Sequence, residues 1–166
     1  MSNDAIVILK NDHKKVRALF AKFRQAGERA EATKARLVDQ ILEELTVHTY
    51  IENEGMYPAI RELLPDLEDD ILESLEEHHV ADVLCMELAG MRPEHEHFDA
   101  KVTVLIENVE HHIEEEEEEW FPKVREGVGR KQLQEIGERL EVLREKAPRS
   151  PAHPKSLKKA VKALVS

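Results

Sequence analysis

Apolar residues recur every three or four positions along most of the chain, which is the pattern of amphipathic helices. Four of these stripes are long, and they begin at Ile6, Leu37, Ile71 and Val102. Breaks follow near Gly27, at Leu64–Asp66, at Gly90–Pro93 and near Gly127. A fifth, shorter helix is predicted from Lys131 to Lys146. Long helices joined by short breaks predict an all-α fold, an up-down-up-down antiparallel four-helix bundle followed by the extra helix.

The pattern also repeats within the chain. The second helix carries a His-x-x-x-Glu motif followed by an aromatic-Pro pair, and the fourth helix repeats this arrangement 64 residues later. The first and third helices match as well, each with an acidic residue before a histidine, Asp12-His13 and Glu77-His78. The chain therefore reads as two similar helical hairpins, which predicts a bundle with quasi-two-fold symmetry.

The composition changes after Lys146. Residues 147–154 are rich in proline and small side chains and predict a linker. Residues 155–166 are basic and fit either a short amphipathic helix or a solvated tail. We therefore expect one helical domain, residues 1–146, and a Pro-rich linker with a basic tail, residues 147–166.

Charge and composition narrow the classes of function. The formal net charge of −11 argues against nucleic acid as a partner. The single cysteine, Cys85, forms no internal disulfide, and we expect it to pack as a buried thiol in a reducing compartment. The N-terminus lacks a secretory signal, and no apolar run approaches the roughly 18 residues that cross a bilayer. These features predict a soluble, cytoplasmic protein without a membrane partner, and they leave the oligomeric state open.

Each long helix places a potential metal ligand within its own apolar stripe. A histidine and a glutamate four residues later lie on one helix face, one turn apart. Two helices carry such a pair, and the other two carry one histidine each. The midpoints between successive histidines fall near residues 30, 63 and 95, at or close to the breaks, so an antiparallel bundle brings these side chains to one level. The predicted layer contains His13, His48, Glu52, His78, His112 and Glu116.

Burying such a layer is costly unless its members are paired or bind metal. An unpaired buried carboxylate is strongly unfavourable, and an unsatisfied imidazole costs about 1–3 kcal/mol. A buried hydrogen-bond network without metal is one interpretation. Mixed imidazole and carboxylate ligands also suit iron, manganese or zinc, and six ligands exceed the needs of one tetrahedral zinc ion. Two carboxylates can bridge two ions and leave open coordination positions, so a binuclear iron site fits these residues best.

Neighbouring residues compete for some of these positions. His78 and His112 keep the spacing of the internal repeat, whereas His79 and His111 do not, so we expect the latter two to flank the site. The run Glu114–Glu119 can face inward only in part, because successive helical residues are turned by about 100°. We expect one glutamate of this run inside and most of the others in solvent.

Two further interpretations of nearby residues are disfavoured. α-Helical geometry turns Tyr50 and Tyr57 away from the direction of the first His–Glu pair, so we expect them to pack rather than ligate. A ferritin-like centre uses two Glu-x-x-His motifs on separate helices. The motifs present here, Glu76 to His79 and Glu94 to His97, lie too close together in sequence.

The ordered set of histidines and His-x-x-x-Glu motifs resembles the hemerythrin-like HHE cation-binding domain, over about residues 3–127. It looks most like the hemerythrin-like proteins of actinobacteria, including mycobacteria. The resemblance implies a four-helix bundle that holds two iron ions joined by an oxo or hydroxo bridge. It also implies that Glu52 and Glu116 bridge the ions and that the four histidines are terminal ligands. Glu117 is the alternative to Glu116, since oxygen carriers place this carboxylate five residues after the last histidine.

Asp82 affects which function the resemblance implies. Oxygen-carrying hemerythrins have a fifth histidine one turn after that of the third helix, where this sequence has Asp82. That aspartate could ligate, hydrogen-bond to a ligand or face away. The resemblance then favours decomposition of hydrogen peroxide, a catalase-like activity, or binding of nitric oxide or oxygen, over oxygen transport. The alternative is a sensor of oxygen, iron or redox state, or an iron-binding module without turnover, whose basic tail contacts a partner.

Overall fold

The computed structural model describes residues 4–153 and 156, and its regular structure is entirely helical over these residues. The seven α-helices are α1 (Ala5–Gln25), α2 (Glu31–Ile51), α3 (Tyr57–Leu63), α4 (Glu68–Ala89), α5 (Phe98–Glu115), α6 (Phe121–Gly127) and α7 (Arg130–Lys146). A short 3₁₀ turn, Pro65–Leu67, precedes α4. The prediction of an all-α chain with a shorter helix at its end is therefore confirmed, and the up-down-up-down order stays a prediction.

Two π-helical turns join α-helices into longer rods. The first π turn, Glu52–Met56, connects α2 to α3, and the second π turn, Glu116–Trp120, connects α5 to α6. In each turn a backbone N–H bonds the carbonyl five residues earlier, from Tyr57 to Glu52 and from Phe121 to Glu116. A proline follows at the second position of the next helix, and proline has no N–H and crowds the preceding turn. The widened turn accommodates that proline without a break in the rod.

Local signals in the sequence set several helix ends. The Asp4 carboxylate caps α1, because its Oδ1 accepts a hydrogen bond from the Val7 N–H at 3.0 Å. Helix α3 ends at Leu63 because Leu64 precedes a proline and adopts φ −131°, ψ 74°. These ends fix the lengths of the rods and so the level at which the polar side chains meet.

The apolar core forms two clusters. One is built from α1, α2, α4 and α5, and it includes Phe20, Ile41, Phe98 and the predicted buried thiol of Cys85, which is 3% exposed. The other surrounds the two π turns and α3, α6 and α7, with Leu140 among its buried members. Helix α7 packs against α1, α2 and the first π turn. The extra helix thus covers the end of the molecule where the π turns lie.

Two sequence predictions concern the end of the chain. The amphipathic helix considered for the basic tail falls on residues 155–166, which lie outside the described residues apart from residue 156. The division of the chain at residue 147 stays a prediction. Within the described part of the chain, no helix has the length and apolar character needed to cross a membrane.

Candidate metal centre

The six predicted ligands lie together in the interior. Helix α1 contributes His13, α2 and the first π turn contribute His48 and Glu52, α4 contributes His78, and α5 and the second π turn contribute His112 and Glu116. None of the six is more than 5% exposed, and Glu52 is fully buried. The six side chains thus meet in the interior, as their spacing along the sequence predicts.

The six side chains form two groups whose potential ligand atoms lie within 4.8 Å of one another. The first group contains His13, His48, Glu52 and Glu116, and the second contains Glu52, His78 and His112. Oε2 of Glu52 lies 3.3 Å from Nε2 of His48 and 3.1 Å from Nε2 of His78. Glu116 lies between the other two imidazoles, with Oε2 3.2 Å from His13 Nε2 and Oε1 3.4 Å from His112 Nε2. Each glutamate thus contacts one histidine of each group.

An oxygen acceptor on the outer side orients each imidazole. The four Nδ1 contacts are His13 to Glu117 at 2.9 Å, His48 to Asp12 at 3.2 Å, His78 to Asn53 at 2.7 Å and His112 to Glu77 at 3.0 Å. Because carboxylate and amide oxygens accept, each Nδ1 carries the proton and each Nε2 lone pair faces inward in the neutral ring. This is the usual arrangement of metal-binding histidines.

The internal repeat contains the signal for these outer partners. Asp12 and Glu77 each precede the histidine of their own helix, and each binds the histidine of the following helix. Asn53 and Glu117 each follow a buried glutamate and bind a histidine of another helix. Two arginines from the periphery hold the carboxylates in turn, Arg144 on Asp12 at 2.8 Å and Arg17 on Glu117 at 3.0 Å.

The expectation that Tyr57 points away from the site is wrong. Its hydroxyl lies 2.8 Å from Glu116 Oε1, 3.2 Å from Glu52 Oε2 and 3.2 Å from His78 Nε2. The first π turn is the reason: five residues in an α-helix make about 500°, whereas the wider π turn returns residue i+5 to the face of residue i. The tyrosine is 1% exposed, and its hydroxyl contacts Glu52 and His78 of the second group.

The second π turn places a different aromatic residue at the equivalent position. Phe121 stacks on the ring of His13, with centroids 5.8 Å apart and planes 11° apart. The two halves of the centre are therefore unequal: a hydroxyl enters the second group, and an apolar ring closes the first.

Burial and charge act against each other on the ionisable groups. Burial alone would lower the pKa of His48, but the charges of Glu52 and Asp12 outweigh it and raise that pKa to about 10. Burial and the neighbouring Glu116 oppose ionisation of Glu52, yet the histidines around it hold its pKa at about 2. Burial, reinforced by both glutamates, raises the pKa of Tyr57 well above its usual value. Without metal, the raised pKa values of His48 and His112 and the lowered pKa values of Glu52 and Glu116 favour two imidazolium–carboxylate pairs beside a neutral tyrosine.

A metal ion would satisfy the buried nitrogen and oxygen atoms of the first group better than hydrogen bonds among them do. Nε2 of His13, Nε2 of His48, Oε1 of Glu52 and Oε2 of Glu116 are buried without a hydrogen-bond partner among the described residues. Unsatisfied buried polar atoms are rare and costly, and here four converge within one group. A cation coordinated by imidazole and carboxylate would satisfy all four.

Two small pockets adjoin the centre. A cavity of about 20 Å³, here called the histidine-side cavity, touches His48, His78 and His112, and its other walls are mainly apolar, including Val16, Leu45, Ala81, Val109 and Ile113. A second pocket of about 60 Å³, here called the acidic pocket, is lined by Asp70, Glu73, Ser74, Glu115, Glu116, Glu119, Trp120 and Lys123. Ser74 lies close enough to Tyr57 to influence its pKa, so the acidic pocket adjoins the tyrosine as well as Glu116.

The competing residues lie outside the two groups. Glu117 is turned outward to His13 Nδ1 and Arg17, whereas Glu116 is 1% exposed and inside. The side chain of His111 is 63% exposed. Asp82 is half-buried and lines a surface pocket with Thr46 and Tyr50. Asp82 belongs to neither ligand group.

Comparison with known proteins supports the helical fold and identifies a family. A crystal structure of a hemerythrin HHE cation binding domain-containing protein from Mycobacterium kansasii superposes with a TM-score of 0.73 at 22% identity, over 98% of this chain and 91% of the other. At that identity the similarity shows a shared, hemerythrin-like fold. A DNA nickase from Nostoc sp. is 26% identical over 128 residues, which are 77% of this chain but only 35% of the nickase. The chain therefore spans about a third of the length of that relative.

The family model for the hemerythrin HHE cation binding domain matches residues 4–124, which contain all six predicted ligands and both π turns. Proteins of this family bind metal ions, and the two groups of histidines and glutamates are able to hold them. The chain belongs to the hemerythrin HHE cation-binding domain family.

Proposed function

We propose that this chain is a non-haem di-iron protein that decomposes hydrogen peroxide. The observation that carries the proposal is the pair of ligand groups joined by Glu52 and Glu116, with four inward-facing Nε2 atoms. Glu52 belongs to both groups, and Glu116 of the first group also lies 3.4 Å from His112 of the second. Two carboxylates that reach both groups suit two ions, and imidazole with carboxylate suits iron. In the proposed centre Glu52 and Glu116 would hold both ions, and His13, His48, His78 and His112 would supply one imidazole each.

The histidine-side cavity supports a very small substrate. Its volume of about 20 Å³ is little more than the roughly 10–15 Å³ that one water molecule needs. Hydrogen peroxide, nitric oxide and oxygen fit this size, and organic substrates do not. The apolar side chains of its walls limit access of water, which strengthens electrostatic interactions inside.

Tyr57 is the residue suited to move a proton. Two irons bound here would accept and return the electrons that convert two hydrogen peroxide molecules to two waters and one oxygen molecule. The raised pKa keeps the Tyr57 hydroxyl protonated at neutral pH, where it donates to Glu116. Tyr57 would hold this proton beside the substrate oxygen atoms and would exchange it with the acidic pocket, which Ser74 and Glu116 line. The reaction has no net proton uptake, so a shuttle is sufficient.

Two measurements test the proposal. Protein purified from iron-replete cells should contain about two irons per chain. The iron-loaded protein should release oxygen from peroxide faster than the same amount of free iron, and His112→Ala should abolish that excess. His97→Ala is the matched control, because the side chain of His97 is 69% exposed. Absence of iron, or equal rates for protein and free iron, would refute the function.

A second candidate is binding of nitric oxide or oxygen without turnover, including use as a sensor. The apolar walls of the histidine-side cavity favour it, since neutral diatomic molecules need few hydrogen bonds. A visible spectrum that changes reversibly with the gas, in protein without peroxide turnover, would support this candidate instead. The match to the nickase does not extend DNA cleavage to this chain, because it covers only about a third of the nickase. The net charge of −11 also disfavours binding to the phosphate backbone of DNA.

A further inference from the structure

Helix α7 contributes a side chain to the surroundings of the metal centre. Nη2 of Arg144 contacts both carboxylate oxygens of Asp12, at 3.0 Å from Oδ1 and 2.8 Å from Oδ2. Asp12 in turn accepts a hydrogen bond from His48, whose Nδ1 lies 3.2 Å from Oδ2. Helix α7 begins at Arg130, beyond the family match that ends at residue 124, so the matched region does not include this arginine. A guanidinium from outside the family domain thus lies two contacts away from a predicted metal ligand.

The contact between Arg144 and Asp12 is more shielded from water than the other arginine–carboxylate pair beside the centre. The side chains of Arg144 and Asp12 are 21% and 3% exposed. Those of Arg17 and Glu117 are 42% and 23% exposed. Shielded ion pairs are screened less by solvent and salt, whereas exposed pairs contribute little. Glu141 also lies 3.6 Å from Nε of Arg144 and holds the guanidinium from the same helix. Arg144 therefore restrains its carboxylate more firmly than Arg17 does.

The Asp12 carboxylate would have another direction to turn if Arg144 were removed. It lines an open groove between α1 and α7, about 590 Å³ in volume, to which Lys14 and Lys15 also contribute. Without Arg144 the carboxylate can turn into this groove, towards water or a lysine. A metal-binding imidazole needs the acceptor on its outer nitrogen, because that acceptor fixes the ring orientation and the tautomer. Removal of Arg144 would thus loosen the ring of His48.

We propose that Arg144 is a positioning residue of the metal centre, which holds Asp12 against His48 and so fixes one imidazole of the first ligand group. Helix α7 is docked by buried apolar side chains, among them Leu133 and Leu140, against α1, α2 and the first π turn. Retention of metal is consequently coupled to the docking of this helix. The inference rests on the proposed function, since it requires that the buried groups hold metal.

Release of metal measures this role without catalysis. Full-length protein loaded with iron is diluted into excess chelator, and the loss of iron is followed with time. Arg144→Met removes the guanidinium, Arg144→Lys keeps a cation, and Arg139→Met is the matched control at an exposed position of the same helix. Loss of an outer partner of a metal-binding histidine typically weakens metal binding by about 10–100-fold. We expect Arg144→Met to release iron about tenfold faster than wild type, Arg144→Lys to lie closer to wild type, and Arg139→Met to match it.

A second measurement separates positioning from a general loss of stability. The chemical shift of the His48 Nδ1–H proton in the metal-free protein reports its hydrogen bond to Asp12. Arg144→Met should move this resonance. Leu88→Ala, which opens a cavity in the other core cluster, should destabilise the fold but leave both the resonance and the rate of iron release unchanged.

The outcomes distinguish this inference from the proposed function. Iron release by Arg144→Met at the rate of Arg139→Met, or an unchanged His48 resonance, would overturn the positioning role and leave the di-iron centre intact. Equally fast release by Leu88→Ala would overturn it too, because stability alone would then explain the loss of iron. Failure of wild type itself to retain iron would overturn the di-iron centre and, with it, the role of Arg144 in holding metal.

Discussion

Removal of the Tyr57 hydroxyl by Tyr57→Phe should destabilise the metal-free protein measurably. The hydroxyl is buried and donates to an ionised carboxylate, Glu116 Oε1, at 2.8 Å. A hydrogen bond to a charged group contributes about 1.5–3 kcal/mol. Phenylalanine keeps the ring and its packing, so we expect a loss of about 2 kcal/mol in the free energy of unfolding. For a chain of this size that loss corresponds to a melting temperature lower by roughly 4–8 °C.

Urea unfolding followed by circular dichroism, with chelator present, measures this difference. The control is Tyr50→Phe, which removes the hydroxyl of a half-buried tyrosine outside the centre and should change stability by less than about 0.5 kcal/mol. The slope of the transition should be the same in all three proteins, because the surface exposed on unfolding is unchanged. Equal midpoints for Tyr57→Phe and Tyr50→Phe would refute the reasoning, since the hydroxyl would then contribute nothing at the centre.

Three more perturbations test other contacts. Gly55→Ala should cost about 1–2 kcal/mol in urea unfolding, because the new Cβ would lie 2.5 and 2.7 Å from two leucine methyl groups of α7, whereas Gly27→Ala, with nothing within 4 Å, should be nearly neutral. Arg144→Met should cost about 1–3 kcal/mol at pH 7, because it removes a partner of the buried Asp12. The pKa of Asp12, about 2 in the fold against an ordinary 3.8, stabilises the protein above pH 3.8 and ceases to do so as the pH falls towards 2, so the deficit of Arg144→Met should shrink over that interval. Metal uptake should release protons at pH 7 in a weakly buffered titration, because the pKa of His48 near 10 keeps that ring protonated in the metal-free protein; uptake without acidification would contradict the assignment.

The positions of the six predicted ligands followed from two regularities of the sequence. A 3.6-residue period identifies the inner face of each helix, and equal distances from the breaks identify the level. Both rules apply because the first four breaks in the pattern coincide closely with the ends of rods, such as Leu63 and Ala89. The match of the family model confirms the family resemblance, and the helices of the structure confirm the all-α fold. The ligation itself stays a proposal.

The position of Tyr57 was not predicted because the chain departs there from the ideal α-helix. Five residues separate Glu52 from Tyr57, and only a π turn brings them to one face. The α-helical rotation of 100° per residue therefore predicts, wrongly, that Tyr57 lies on a different face from Glu52. The outer partners of the imidazoles were missed for another reason: Asp12 and Asn53 bind histidines of other helices, and the side-chain pattern of one helix carries no information on such contacts.

The two π turns place different aromatic residues beside the centre, so its two halves are not equivalent. An exact duplication of the hairpin would create two interchangeable metal positions. Here the imidazoles of the first group are held by two carboxylates, those of Asp12 and Glu117, whereas the second group has one carboxylate and the neutral amide of Asn53. Arg144 and Arg17 pair with the two carboxylates of the first group, so the clearest difference is the Tyr57 hydroxyl, which lies beside His78 of the second group. Under the proposed function, two chemically identical ions held by these groups would therefore have different surroundings, and only the second group would offer a hydroxyl beside its ion.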